Sequence, residues 1–108
     1  MTTPEVTTTD LATALADGAA VLDVREPAEY VQGHVPGARL IPVGQLPARL
    51  AEVERDGRVY VVCASGNRSK VGADVLIAAG RDAVSVAGGT SGWMRAGHPV
   101  VTGSRPTA

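Results

Sequence analysis

The chain carries one cysteine, Cys63, which stands between a short apolar run and a polar stretch typical of a tight loop. The run before it, residues 59–62, is rich in β-branched side chains and predicts a strand. The stretch after it reads Ala-Ser-Gly-Asn-Arg-Ser, and its glycine and asparagine tolerate positive φ. Such a loop can turn successive backbone N–H groups toward a common centre. The sequence therefore predicts a cradle for an anion beside Cys63.

Two further features predict that the thiol of Cys63 ionises. A helix expected to begin at Ser69 would add its unpaired N–H groups and the positive end of its dipole. The guanidinium of Arg68 would add a fixed positive charge. Surroundings of this kind lower a cysteine pKa from about 8.5 to roughly 3.5–7.5, which predicts a nucleophilic thiolate at neutral pH. The alternative is a small, inert core residue that ends a strand, but the glycine, asparagine and arginine that follow favour the reactive interpretation.

Short β-branched runs alternate with helix-forming stretches, which predicts an α/β domain with a parallel sheet covered by helices on both faces. Predicted strands cover residues 5–7, 21–24, 39–41, 59–62 and 83–86, and predicted helices cover 10–16, 27–32, 47–55 and 69–79. The last helix is expected to open with the capping hydroxyl of Ser69 and to close at Gly80. Ligands bind such sheets beyond the carboxyl ends of the strands. The segments that follow strands 21–24 and 59–62 are therefore the candidate site.

Length and charge exclude several classes of protein. A chain of 108 residues fits one domain, residues 1–108, with an ordered core over about 5–101 and frayed ends. Ten basic residues against 11 acidic ones, without a basic cluster, argue against nucleic acid as a partner. The longest apolar stretch is far too short to cross a membrane, and the first residues do not resemble a signal peptide, so a cytoplasmic protein is expected. The lone cysteine excludes an internal disulfide and a Cys-x-x-Cys metal knuckle.

The other polar residues have simpler interpretations. His34 and His98 are far apart in sequence and each precedes a proline within two residues, so both are interpreted as structural rather than as metal ligands. The charged residues after strand 21–24 are interpreted as an ion pair that joins a loop to a helix, with Arg25 the one best placed to assist an anionic substrate. Glu29 and Tyr30 are expected on a helix, the first solvated and the second packed.

Three segments, taken together, resemble the rhodanese family of sulfurtransferases. Residues 21–30 (VLDVREPAEY) with 33–38 (GHVPGA) are similar to the family's first signature, and Gly88, Gly89 and Trp93 with 97–99 (GHP) are similar to its last. Residues 63–69 (CASGNRS) lie where the family carries its catalytic loop. The resemblance implies a five-stranded parallel sheet flanked by helices, and a loop cysteine that becomes a persulfide.

The resemblance also implies a two-step exchange. The thiolate takes the outer sulfur of thiosulfate or a persulfide, and a cellular thiol, an acceptor protein or, in an assay, cyanide then removes it. The loop N–H groups would hold the transferred sulfur, and no metal or organic cofactor is needed. The expected catalytic residues are Cys63 and Arg68, and the expected substrate-binding residues are Ala64, Ser65, Gly66, Asn67, Arg68, Ser69 and Arg25.

Two alternatives stay open. Cysteine phosphatases and arsenate reductases have the same kind of loop, but phosphatases place five residues between cysteine and arginine, whereas Cys63 and Arg68 enclose four and Ser69 stands at the phosphatase arginine position. The other alternative is a docking module of the same fold that carries out no reaction. Domains of that kind suit the role when they lack the cysteine, and this chain retains Cys63.

Overall fold

In the computed structural model, which describes residues 2–108, the strands form a single five-stranded sheet. The strands are β1 (Glu5–Val6), β2 (Ala20–Asp23), β3 (Arg39–Leu40), β4 (Arg58–Val62) and β5 (Asp82–Val86). They lie in the order β1-β5-β4-β2-β3, and every neighbouring pair is parallel. The predicted five-stranded parallel sheet is confirmed.

Four α-helices and one long 3-10 segment connect the strands: α1 (Thr8–Ala16), α2 (Pro27–Tyr30), the 3-10 segment Val43–Glu52, α3 (Asn67–Ala78) and α4 (Gly89–Arg95). The helix predicted over 47–55 is wrong in type and position. Pro47 lies inside the 3-10 segment, where it has no N–H to donate, and Arg49 breaks the helical geometry with φ of −120°.

Both faces of the sheet are buried, because neighbouring side chains of a strand point to opposite sides. Val59 and Val61 of β4 pack in one cluster with Leu46 of the 3-10 segment and Leu76 of α3. Val62 of the same strand packs in a second cluster, in which α1 and α4 contribute Leu11 and Trp93. Helices on both faces hold the central strands, and the loops after their carboxyl ends, in fixed positions.

The turn between β5 and α4 is packed against the backbone at Cys63. Gly88 and Gly89 have positive φ values of 82° and 56°. A Cβ atom at Gly89 would lie 2.5 Å from the carbonyl oxygen of Cys63 and 2.8 Å from backbone atoms of Ala64. The N–H of Thr90 donates to that Cys63 oxygen at 2.8 Å. N–H groups in the first turn of α4 have no partner within the helix. One of them, from Thr90, anchors the start of the cysteine loop instead.

The C-terminal segment contacts the loop after α2, and its contacts include Arg105 of the tail 102–108, which the sequence predicts to be frayed. The backbones of His34 and Val101 exchange two hydrogen bonds of 2.9 Å. The His34 ring is buried, stacks on the Tyr30 ring at 3.6 Å, and places its Nε2 2.7 Å from the carbonyl oxygen of Arg105. His98 stacks on Trp93 at 4.2 Å. Both histidines thus take part in packing.

Residues 2–108 contain no group of three or more histidine, cysteine, aspartate or glutamate side chains that could hold a metal ion. No helix in this part of the chain is long and apolar enough to cross a membrane.

We expect the substitution Gly89→Ala to destabilise the protein more than Gly97→Ala. Both glycines have positive φ, which costs an alanine about 1–2 kcal/mol. At Gly97 no atom lies within 4 Å of the added Cβ, whereas at Gly89 the Cβ meets the backbone of the cysteine loop. Urea denaturation measures the difference. Equal losses of unfolding free energy in the two variants would show that the close packing at Gly89 is unimportant.

Candidate active site

Cys63 lies directly after β4, where residues 63–69 curl around its sulfur. The residue is 1% exposed, and the N–H of Gly66 donates to Sγ at 3.1 Å. The hydroxyl oxygen of Ser69 is 3.4 Å from the same sulfur. Gly66 itself is buried and has a φ of 115°, a conformation that favours glycine. The loop thus places a backbone donor and a hydroxyl on one buried sulfur.

The start of α3 differs from the prediction. The helix begins at Asn67 rather than Ser69, and the left-handed Gly66 occupies the N-cap position. Ser69 is therefore the third residue of the helix, and the prediction that its hydroxyl caps the helix is wrong. That hydroxyl points to the interior, where it lies 2.7 Å from the hydroxyl of Ser85. The turn at Gly66 begins the helix two residues early and frees the Ser69 hydroxyl to face Cys63.

Ser85 is a site residue that the sequence analysis missed. It lies in β5, is completely buried, and is linked to Cys63 through the hydroxyl of Ser69. The sequence does contain an indication of this role, because Ser85 is the one polar residue in the apolar run 83–86. A buried hydroxyl needs a hydrogen-bond partner, which predicts a polar neighbour for Ser85. Donation from Ser85 to Ser69 leaves the Ser69 proton free to point at the sulfur, so the two hydroxyls form a chain that ends at Cys63.

The surroundings of the sulfur favour its ionised form. Burial raises the pKa of the Cys63 thiol. The Ser69 hydroxyl and the N–H groups of Ser69, Gly66 and Ser65 together lower the pKa by more than burial raises it, so it lies below its ordinary value. Hydrogen bonds to a charged group stabilise that group, whereas burial without donors would neutralise it. The backbone of the loop is thus a direct cause of thiolate character, as expected for an anion cradle.

Arg68 lies in the first turn of α3 and is paired with Glu29 of α2. Its two terminal nitrogens donate to the two carboxylate oxygens of Glu29 at 2.7 and 2.8 Å. Both side chains are slightly more than one-third exposed. The hydrogen bond from Arg68 lowers the pKa of Glu29 to about 2. The sequence predicts that Glu29 is solvated. In the structure it is instead the partner of Arg68, the arginine expected to bind the substrate.

Arg25 forms a buried ion pair with Asp23 at the end of β2. Its Nη2 lies 2.8 Å from a carboxylate oxygen of Asp23, and the two side chains are 7% and 0% exposed. The same nitrogen donates to the carbonyl oxygen of Gly33 at 2.9 Å, which ties the end of β2 to the loop after α2. The charge of Arg25 is thus largely committed to the fold.

The remaining predicted substrate-binding residues form the rim of the loop. Ala64 is half-buried, whereas Ser65 and Asn67 are exposed. A groove of about 610 Å³ lies elsewhere, between Asp17 and Arg58 at the amino ends of β2 and β4. It is at the opposite edge of the sheet from Cys63, so the groove and the reactive sulfur are separate features. In parallel sheets the chemistry belongs to the carboxyl edge.

Comparisons with known proteins agree with this geometry. The family described as "Rhodanese-like domain" matches residues 7–96. A protein named sulfurtransferase from Allochromatium vinosum is 37% identical over 100 residues, which are 90% of this chain and 94% of that protein.

Solved structures are similar over nearly the same span. The crystal structure of a rhodanese-related protein from Thermoplasma volcanium has a TM-score of 0.85 and 36% identity, with 91% of this chain and 97% of that chain covered. A thiosulfate sulfurtransferase from Pseudomonas aeruginosa has a TM-score of 0.85 and 32% identity, with 94% of this chain and 20% of that longer chain covered.

We expect Ser69→Ala to raise the pKa of Cys63 by removing the hydroxyl that bonds the sulfur. A hydrogen bond to a charged group contributes about 1.5–3 kcal/mol, so alkylation by iodoacetamide on the acidic side of the titration should slow roughly tenfold or more. Ser85→Ala should act in the same direction but more weakly, because Ser85 acts through Ser69. The pH dependence of the alkylation rate is the measurement.

The matched control for both variants is Ser91→Ala, because Ser91 is exposed and lies on α4 rather than in the loop. Its alkylation profile should match that of the unsubstituted protein. Overlapping profiles for Ser69→Ala and Ser91→Ala would contradict the assigned role of the Ser69 hydroxyl.

Proposed function

Since this chain belongs to the rhodanese-like domain family, we propose that it is a sulfurtransferase in which Cys63 takes a sulfur atom from thiosulfate or a persulfide donor. The observation that supports the proposal most is the buried Sγ of Cys63 with the Gly66 N–H at 3.1 Å and the Ser69 hydroxyl at 3.4 Å. Donors directed at a sulfur atom lower the pKa of its thiol and stabilise a nucleophile. The similarity to a protein named sulfurtransferase over 90% of this chain supports the same class of reaction.

In the first step the Cys63 thiolate attacks the outer sulfur of the donor. A bond forms between Sγ and that sulfur while the sulfur–sulfur bond of the donor breaks. The electron pair of the broken bond leaves on sulfite when the donor is thiosulfate, or on a thiolate when the donor is a persulfide. Cys63 then carries one additional sulfur as a persulfide, which makes this step a case of covalent catalysis.

The loop stabilises this persulfide because its terminal sulfur carries negative charge. N–H groups in the first turn of a helix have no partner within the helix, and the first turn of α3 lies next to Cys63. These N–H groups are already in place before the sulfur donor binds, so they need not reorganise during the transfer. Ala64 and Ser65 on the rim have small side chains, and Ser65 is exposed.

In the second step a thiophilic acceptor attacks the terminal sulfur. The bond to Sγ breaks, its electron pair returns to Cys63, and the thiolate is regenerated. A cellular thiol or an acceptor protein is the proposed partner, and cyanide serves in an assay. Sulfur atoms and electrons balance in both steps without another reactant.

We expect intact-mass measurement after incubation with a sulfane sulfur donor to show an increase of one sulfur atom. Cyanide should remove the added mass and release thiocyanate. Cys63→Ser is the matched control, because it replaces only the sulfur, and it should never gain the mass.

An unchanged mass with every donor tested would contradict the proposal and favour a docking module of the same fold. Turnover of an aryl phosphate that is lost in Cys63→Ser would instead indicate a cysteine phosphatase.

A further inference from the structure

The cationic side chains around the cysteine loop all have carboxylate partners. Glu29 receives both terminal nitrogens of Arg68. Asp23 binds Arg25 at 2.8 Å. Lys70, the other cation in the first turn of α3, lies 3.7 Å from a carboxylate oxygen of Glu5. An anionic donor that approaches Cys63 therefore meets guanidinium groups whose charge is already compensated.

Arg68 is the cation closest in sequence to the reactive sulfur and is within electrostatic range of it. The hydrogen bond to Glu29 raises the pKa of Arg68, and the charges of Glu29, Cys63 and Asp23 raise it further. Glu29 contacts this guanidinium directly, whereas Asp23 is itself paired with Arg25. When Cys63 is a thiolate, Glu29 and Cys63 together carry more negative charge than Arg68 carries positive charge.

The carboxylate of Glu29 is held by its own helix as well as by Arg68. Its Oε1 accepts the N–H of Glu26 at 3.0 Å and an N–H of Arg68 at 2.7 Å. The neighbouring Tyr30 is 1% exposed and fixes the end of α2 in the core. Because the pKa of Glu29 is lowered to about 2, the group stays a carboxylate throughout the neutral range. Glu29 is thus anchored in front of Arg68 and is not a mobile counterion.

This pairing affects donors according to their charge. Thiosulfate is a dianion, and its sulfonate end needs a cation once the outer sulfur reaches Cys63. To bind the terminal nitrogens of Arg68 it must compete with the Glu29 carboxylate and then lie beside it. Like charges at contact distance repel each other near a protein surface. A hydropersulfide of a thiol carries at most one negative charge, on the outer sulfur itself, where the loop N–H groups can stabilise it. It has no sulfonate end that needs a cation.

We propose, on the basis of the sulfur transfer proposed above, that Glu29 determines donor specificity and that the preferred donor is a hydropersulfide with no second anionic group beside its outer sulfur. The Cys63 thiolate attacks that sulfur, the Sγ–S bond forms and the donor S–S bond breaks. The donor leaves as a thiolate with the electron pair. A proton on the transferred sulfur is released to solvent, which gives the anionic persulfide that the loop stabilises. Atoms and charge balance without another reactant.

The test compares Glu29→Gln with Glu26→Gln, using thiosulfate and the hydropersulfide of 2-mercaptoethanol as donors. Glutamine at position 29 keeps an oxygen for the Glu26 N–H but removes the carboxylate charge that is paired with Arg68. We expect kcat/KM for thiosulfate to rise about tenfold, which corresponds to about 1.4 kcal/mol, because the repulsion between the Glu29 carboxylate and the sulfonate is removed. The value for the hydropersulfide should change by less than about threefold.

Glu26→Gln removes the same charge from the same end of α2, but Glu26 is exposed and does not bind Arg68. It should leave the ratio of the two kcat/KM values unchanged. An equal rise in both variants would mean that overall charge, and not the Glu29–Arg68 pair, sets the preference. An unchanged ratio in Glu29→Gln would likewise overturn the specificity role, while sulfur transfer itself would stand.

A measurement on the unsubstituted protein is independent of how the variants fold. Added salt screens repulsion as well as attraction. If the rim repels thiosulfate, kcat/KM for thiosulfate rises with ionic strength, whereas an uncompensated Arg68 would make it fall. A fall with salt would overturn the inference. Absence of transfer from both donors would overturn the proposed function and the inference together.

Discussion

The structure depends on keeping a charged sulfur stable while it is almost completely buried. Burial alone would raise the pKa of Cys63 and make the thiol inert, because a low dielectric disfavours the charged form. The protein offsets this with donors from the loop backbone and from Ser69. Those donors act only if the loop is rigid, and its rigidity comes from the neighbouring elements. The N–H of Thr90 anchors the Cys63 carbonyl at 2.8 Å, and Gly89 permits the approach that this bond requires.

Ion pairs of charged side chains surround the cysteine loop. Arg68 and Arg25 are each tied to a carboxylate from the β2–α2 region, so α2 is joined electrostatically to the start of α3. These pairs differ in burial, and the difference separates their roles. The Arg25–Asp23 pair is inside and fixes the end of β2, whereas the Arg68–Glu29 pair is at the surface and faces approaching molecules. The thiolate is therefore stabilised chiefly by uncharged hydrogen-bond donors. The charged side chains affect which sulfur donors can approach it.

The fold and the position of the loop could be predicted from the sequence because both depend on local patterns. Alternating β-branched runs and helical stretches indicate a parallel sheet, and Cys63 directly follows such a run. The start of α3 could not be placed correctly, because the capping rule for serine gave no weight to the left-handed Gly66. The partners of Ser69 and Arg68 were missed for a different reason. Ser85 and Glu29 are 16 and 39 residues away in sequence, and only the strand order and helix packing bring them to the loop.

The central claim is that the loop donors keep the buried Cys63 sulfur ionised. Ultraviolet titration of the thiolate absorbance, recorded as the difference between the protein and its Cys63→Ser variant, measures this charge without any reagent having to reach the sulfur. The account predicts a titration midpoint below that of an ordinary cysteine in the folded protein, with a return to the ordinary value in denaturant. A midpoint in the folded protein at or above the ordinary value would show that burial outweighs the donors, and would contradict the account.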